Sequence, residues 1–176
     1  MIIFDLDGSL ADCEHRRHYV DPVKAGLKWW SGEIEGDAGN WTKNGVGIKW
    51  KPDWKKFFEA CDEDTPIEPV IEMWNDQISY RLNKDNQIWS GRCESVRVKT
   101  EKWLKYHLLD FNPNQLKMRP IGDSTPDDEL KERWLDEALE SGETIECVFE
   151  DRPKVVRMYR RREIFVFDCN QSGKEF

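Results

Sequence analysis

The chain opens with an apolar run, Met1 through Ile2-Ile3-Phe4, that stops at Asp5-Leu6-Asp7-Gly8-Ser9, and this pattern recurs along its length. Gln87–Trp89 runs into Ser90-Gly91-Arg92, Leu116–Met118 into Arg119-Pro120-Ile121-Gly122, and Ile145–Phe149 into Glu150-Asp151-Arg152-Pro153; a last run covers Ile164–Phe167. Runs this short and this continuously apolar predict strands buried on both faces. Between them the apolar residues fall at helical spacing. Ile67, Val70, Ile71, Trp74 and Ile78 predict a helix over 66–83, and Val96, Trp103, Leu104 and Leu108 predict one over 95–109. Ser124-Thr125-Pro126, with Asp127 and Asp128 in the first turn, reads as a helix start leading to Leu130, Trp134, Leu135 and Ala138. Arg152-Pro153 opens a further helix carrying Val155, Val156 and Tyr159. Strands alternating with helices predict an α/β fold, about five parallel strands covered on both faces. In such sheets ligands bind outside the carboxyl ends of the strands, which is where the polar tripeptides fall.

One segment departs from this rhythm. Residues 22–54 hold six of the 11 glycines and five of the nine tryptophans (29, 30, 41, 50 and 54), and a short helix over 53–61 follows. Coming after the first strand, residues 22–62 read as a small cap-like insertion in an otherwise single domain of 176 residues. The tryptophans have two readings: a mini-core for a flap too small to build one otherwise, or a surface on which a nucleobase stacks.

Composition narrows the function classes. With 35 acidic against 27 basic side chains the net charge is −8, which argues against a protein that coats duplex nucleic acid but not against a local pocket for one phosphate. No run approaches the length of a membrane-spanning helix, and the start lacks a basic signal-peptide region. Five scattered cysteines without a C-x-x-C pair fit reduced thiols, so a cytoplasmic protein is expected.

The carboxylates carry the chemistry. Asp5 and Asp7 leave the strand period at a strand end, so both can face one pocket, where their combined charge calls for a hard cation such as Mg²⁺. One can attack phosphorus while the other gives and takes the leaving-group proton, and Gly8 allows the tight turn that brings them in. Cys13, His15 and His18 lack a fourth zinc ligand and standard spacing, and read as a surface turn. Arg97, Lys99, Lys102 and Lys105 on one helix, and Lys154, Arg157 and Arg160–Arg162 on another, read as solvated faces or as tracks for a polynucleotide backbone.

An apolar strand followed by Asp-x-Asp-Gly-Ser resembles the first motif of the haloacid dehalogenase superfamily of aspartate-nucleophile phosphatases, and later motifs match in order. The resemblance implies a three-layer Rossmann-like sheet, phosphate-binding roles for Ser90 and Lys131, and an acidic Mg²⁺ site at Glu150-Asp151 alongside Asp5 and Asp7. Within the superfamily the chain is similar to the phosphatase domain of the T-even bacteriophage polynucleotide kinase–phosphatases, over its first twenty residues and from Ile88 onward. That likeness covers Arg16 and Tyr19, Ser90-Gly91-Arg92, Leu116-Lys117-Met118-Arg119, Gly122-Asp123, Asp127 to Lys131, and Asp151-Arg152. It implies importance for Arg16, Arg92, Asp127 and Lys131. Arg16, Arg92 and Arg119 are candidates for phosphate or sugar–phosphate contacts. Arg16 also reads as a solvated surface residue, and Asp127 either steadies Lys131 one turn on or complements the helix dipole.

Two departures stand out. The family shows Asp-Asp where this chain has Glu150-Asp151, which leaves the metal carboxylate open, and residues 22–54 have no counterpart. The expected activity is a Mg²⁺-dependent phosphomonoesterase working through an aspartyl-phosphate, removing a 3′-phosphate from a nucleic-acid end in phage or bacterial repair. For a phage-encoded chain the compartment would be the host cytoplasm. A phosphatase for free nucleoside 5′-monophosphates and a non-catalytic phosphate-binding module are the alternatives. The sequence has no G-x-x-x-x-G-K-[ST] loop, so no fused kinase is expected in this chain.

Overall fold

The computed structural model describes residues 1–29, 40–44, 46–81, 85–171 and 173. It divides into two compact units: Met1–Asp12 with Thr65–Phe176, and Cys13–Asp64. The anticipated 22–62 insertion falls within the second unit; its residues 30–39 and 45, Trp30 among them, lie outside the described residues.

The first unit is built on five parallel strands: β1 (Ile2–Phe4), β2 (Gln87–Cys93), β3 (Leu116–Arg119), β4 (Cys147–Glu150) and β5 (Val166–Asp168). Their order across the sheet is β5-β4-β1-β2-β3, with Ile3 opposite Val148 and Phe4 opposite both Phe149 and Ile88. The first strand is therefore central. The α/β architecture with a five-stranded parallel sheet is the one the alternation predicts.

Side-chain alternation sends neighbouring strand residues into opposite layers. Ile3, Trp89, Val148 and Val166 join Leu130, Trp134 and Leu135 of α3 (Asp127–Glu140) and Val155, Val156, Met158 and Tyr159 of α4 (Pro153–Arg161) in one buried cluster. On the other face Phe4 stacks on Phe149 at 4.7 Å and meets Trp74 of α1 (Glu68–Arg81) edge-on at 5.3 Å. Trp103 and Leu104 of α2 (Arg97–His107) are also buried. Large side chains withdrawn from water at about 1.5–3 kcal/mol each hold both helical layers to the sheet.

Two boundaries differ from expectation for local reasons. Helix α1 begins at Glu68 because Thr65-Pro66 pairs antiparallel with Ala11-Asp12 first. Strand β2 continues through the polar Ser90–Cys93, where its register with β3 shifts.

The second unit contains a tight helical turn over Glu14–Tyr19, an antiparallel sheet of Lys28–Trp29, Asn40–Lys43 and Val46–Lys49, and a short helix over Trp54–Glu59. Asp53 caps that helix by accepting from the Lys56 amide. Among the described residues of this unit the buried ones are Cys13, Leu27, Phe57 and Cys61 together with an Arg16–Asp64 ion pair. Trp29 and Trp54 are exposed, and Trp41 and Trp50 are half-buried. No helix among the described residues is long and apolar enough to cross a membrane.

Candidate active site

At the carboxyl ends of β1, β2 and β4 the chain abandons apolar residues, and the side chains that follow converge. The Asp5 amide donates to the Phe149 carbonyl at 2.8 Å, extending the β1–β4 ladder by one bond, so Asp5 sits at the sheet's rim. A compact turn follows, closed by the Gly8 amide to Ala11 O and the Ala11 amide to Leu6 O, both at 2.8 Å. Gly8 is required twice. Its φ is +98°, and a Cβ on it would lie 1.9 Å from Asp151 Oδ2.

Lys131, one turn into α3, is buried between two carboxylates. Its Nζ donates to Asp5 Oδ1 at 2.5 Å and to Glu150 Oε2 at 2.7 Å. Glu150 Oε1 accepts the Arg152 amide at 3.0 Å, so each Glu150 oxygen holds an internal donor. Carboxylate oxygens of Asp5, Glu150 and Asp151 lie within 4.8 Å of one another, and all three residues are buried. Two buried carboxylates thus share one ammonium, with the Asp151 carboxylate beside them. Burial, reinforced by the neighbouring Asp5 charge and opposed by Lys131, pushes Glu150 up to about 7. Burial likewise raises Asp5, with Lys131 pulling the other way. For Lys131 burial favours the neutral amine, but the charges of Asp5 and Glu150 outweigh it and hold the ammonium firmly protonated. Excess negative charge among hard oxygen donors suits a divalent cation such as Mg²⁺.

Asp7 stands at the edge of this cluster, partly open to solvent. The fully buried Arg92 grips its Oδ1 with Nε at 2.8 Å and Nη2 at 2.5 Å. Ser90, also buried, accepts the Arg92 amide at 3.1 Å. The register shift between Ser90 and Cys93 is the kind of irregularity that re-aims side chains near a site. Arg92, a candidate for phosphate contact, has its guanidinium on Asp7.

Asp127 does not hold Lys131, contrary to one of its two expected roles. Its carboxylate receives Arg119 Nη2 on one oxygen and Arg152 Nη1 on the other. Lys131 is taken up by Asp5 and Glu150, while Asp127 lies against Gly91 of β2 and Arg119 of β3. Arg119 also donates to Gly91 O at 3.0 Å and Thr125 O at 2.6 Å, tying β2 and β3 to the loop before α3. A Cβ on Gly91 would come within 2.8 Å of Asp127 Oδ1. The likeness seen in the sequence includes Gly91 and Arg152 but gives neither a role. A glycine inside a strand is the one available signal, marking close approach of another group.

Arg16 lies in the second unit, not on a solvated surface. Its Nε and Nη2 bind the two Asp64 oxygens at 2.6 and 2.7 Å, and Nη1 reaches Phe57 O at 3.0 Å. His15 Nε2 joins the same Asp64 oxygen at 2.9 Å. Among the described residues, Asp5, Glu150 and Asp151 form the one group of metal-ligating side chains; Cys13, His15 and His18 do not assemble one.

Residues 53–173 match the family model of the phosphatase domain of polynucleotide kinase PNKP. The chain belongs to this family. No curated protein sequence matches it. Among solved structures, chains of the Pnkp1/Rnl/Hen1 RNA repair complex superpose on 96% of this PNKP-type phosphatase domain with TM-scores of 0.61 and 0.62 at 20% and 21% identity. The domain spans only 41% and 45% of those chains. A class C acid phosphatase from Bacillus anthracis with tungstate bound gives 0.54 at 13% identity, covering 99% of this chain and 73% of its own. CbbY from Rhodobacter sphaeroides in complex with phosphate gives 0.53 at 14% identity, covering 98% and 88%. At these identities the likeness is one of fold, the haloacid dehalogenase-type phosphatase fold.

Proposed function

We propose that this PNKP-family phosphatase domain is a Mg²⁺-dependent phosphomonoesterase that removes a 3′-phosphate from a nucleic-acid end through an aspartyl-phosphate. The observation that carries the reading is the buried set of Asp5, Lys131, Glu150 and Asp151, with Asp7 braced by Arg92 beside it. The ion would be held by Asp5, Asp151 and the Asp7 backbone carbonyl. Glu150 serves instead as the seat of Lys131, since both of its oxygens already accept protein donors. The bound cation would supply charge neutralisation between an anionic nucleophile and an anionic ester.

The remaining chemistry belongs to side chains of this chain. An Asp5 oxygen attacks phosphorus in line, the ester P–O bond breaks, and Asp7 delivers a proton to the departing alkoxide. Asp7, carboxylate again, then takes a proton from water as that water attacks phosphorus, and the acyl-phosphate bond breaks to return Asp5 and free phosphate. Lys131 offsets the charge on the transferring group, and the Ser90 hydroxyl hydrogen-bonds one of its oxygens. Arg92 keeps Asp7 aimed between the two half-reactions. Asp127, clamped by Arg119 and Arg152, steadies the loops that form the phosphate pocket.

The test is phosphate release with Mg²⁺ from a 3′-phosphorylated oligonucleotide and from the deoxynucleoside 5′-monophosphates. Release from the oligonucleotide, abolished by EDTA and by Asp5→Asn, is the expected result. Release confined to mononucleotides would overturn the nucleic-acid-end assignment and keep the phosphatase chemistry. Release unaffected by Asp5→Asn would overturn the aspartyl-phosphate.

A further inference from the structure

We propose that the solvent face of α2, carrying Lys99, Lys102, Lys105 and Tyr106, is the surface over which the single-stranded body of a nucleic-acid substrate leaves the active site. The chemical class of this occupant rests on the proposed function; the surface itself rests on the helix. Helical spacing sets the face: Thr100, Trp103 and Leu104 are buried, and the opposite side of α2 is exposed. Lys99, Lys102 and Lys105 form a row at three-residue spacing there. Val98, Lys102 and Tyr106 form a row at four, and the two rows cross at Lys102. All five side chains are exposed, Tyr106 by 84% and Val98 by 83%. Tyr106 therefore offers an aromatic ring to solvent beside lysines.

Charge selects the occupant. Residues 94–107 hold four Lys and Arg against two Glu, a surplus of cations in a chain whose net charge is −8. Both glutamates lie to one side of the lysine row and converge on Arg97, Glu94 at 2.6 Å and Glu101 at 3.2 Å, with Lys105 4.0 Å from Glu101. Glu68 of α1 bears on His107, which stacks against Trp103 on the packed side of α2. The other helices suit a polyanion less. Helix α3 carries Asp127, Asp128 and Glu129 in its first turn. Helix α4 is basic, but Lys154 meets Asp128 at 3.6 Å and Arg160 meets Asp168 at 3.8 Å, and its aromatic residue, Tyr159, is buried. Position then joins the α2 face to the site. Strand β2 carries Ser90 and Arg92, and only the turn Glu94–Val96 lies between its last residue, Cys93, and α2. The 11-residue helix starts at the sheet rim and runs back from it over roughly 16 Å. A strand held there by its 3′ end must lead its remaining nucleotides away, where lysines offset its phosphates and an exposed ring stacks a base.

Binding of a fluorescently labelled single strand ending in a 3′-hydroxyl is measured by anisotropy on the full chain across a salt series. Lys99→Gln, Lys102→Gln and Lys105→Gln together are expected to lower the slope of log affinity against log salt by about 2, roughly 0.7 for each cation removed. Tyr106→Ala is expected to weaken binding about fivefold or more, and Tyr106→Phe to restore most of the loss. Arg157→Gln with Arg161→Gln on α4 should leave affinity and slope unchanged. All these variants should hydrolyse p-nitrophenyl phosphate as the wild type does, since that ester has no strand to lead away. An unchanged slope in the triple variant, equal affinity of wild type and Tyr106→Ala, or a loss confined to the α4 variant would overturn the proposal. So would a wild-type chain that binds no strand, or a dimer in sedimentation that the triple variant dissociates, since a second copy would then be the occupant. Lysine-dependent strand binding without Mg²⁺-dependent hydrolysis of p-nitrophenyl phosphate sinks the phosphatase and keeps the surface. Hydrolysis without lysine-dependent binding does the reverse.

Discussion

Replacing Lys131 by methionine keeps a stem of similar length in the pocket and removes the one ammonium that faces Asp5 and Glu150. Both carboxylates are almost completely buried, so water cannot take over the lost interaction. Removing one partner of a buried pair costs about 3–5 kcal/mol, chiefly the penalty of an uncompensated buried charge. Glu150 limits that cost, because burial already holds it near 7 and a neutral carboxyl there is within easy reach at physiological pH. The lower end, about 3 kcal/mol, is therefore the expected loss. For a chain of this size that corresponds to a fall in melting temperature of roughly 6–12 °C. Thermal melts followed by circular dichroism in EDTA measure it directly. In excess Mg²⁺ the variant should regain a larger share of its stability than the wild type gains, because the cation enters a pocket of higher negative charge. Phosphate release should remain far below wild type in either buffer. A melting temperature within about 2 °C of wild type in EDTA would refute the reasoning, since it would mean that the carboxylates are solvated or neutral without Lys131.

Gly8→Ala forces a side chain into a left-handed turn and onto Asp151 Oδ2, so the Mg²⁺ concentration for half-maximal activity should rise more than about tenfold, with a stability loss on the order of 1–3 kcal/mol. A Mg²⁺ titration of the phosphatase rate checks it, and an unchanged titration would count against Asp151 as ligand. Arg92→Lys replaces two N–H donors on one Asp7 oxygen by a single ammonium, and kcat should fall about 10- to 100-fold with little change in KM. Steady-state kinetics would contradict this if KM rose and kcat held. Gly91→Ala presses a methyl group against a carboxylate already clamped by Arg119 and Arg152, and should cost about 1–3 kcal/mol in a urea melt.

The parallel sheet could be read from short apolar runs because strands buried on both faces have no other way to satisfy their surroundings. Asp5 and Asp7 could be singled out as two carboxylates directly following a buried apolar strand, whereas Lys131, Glu150 and Asp151 were singled out only through the family resemblance. The roles inside the cluster were less legible. Asp127 and Lys131 are four residues apart on one helix, which made contact between them the natural reading. Partners distant in sequence separate them, Asp5 and Glu150 taking Lys131 while Arg119 and Arg152 take Asp127. Arg16 and Arg92 looked alike as charged residues following a motif, yet one is locked to Asp64 and the other to Asp7. Their partners lie 48 and 85 residues away, beyond anything local spacing can indicate.

The Trp-rich segment shows the same limit. Its hairpin carried a sequence signal that went unread, Asn44-Gly45 between two runs of alternating character, and Asn44 does adopt a positive φ of 53°. Tryptophan content by itself could not distinguish a buried mini-core from an exposed platform. Only cross-strand register decided that Trp29 and Trp41 share one face with Lys43. The sequence by itself determined the alternation of strand and helix, the rim of the sheet and the carboxylates that follow it, because burial and backbone turning act on neighbours along the chain. The tertiary structure alone decided which cation faces which carboxylate and which aromatic side chains share a face, because those choices depend on distance in space between residues far apart in sequence.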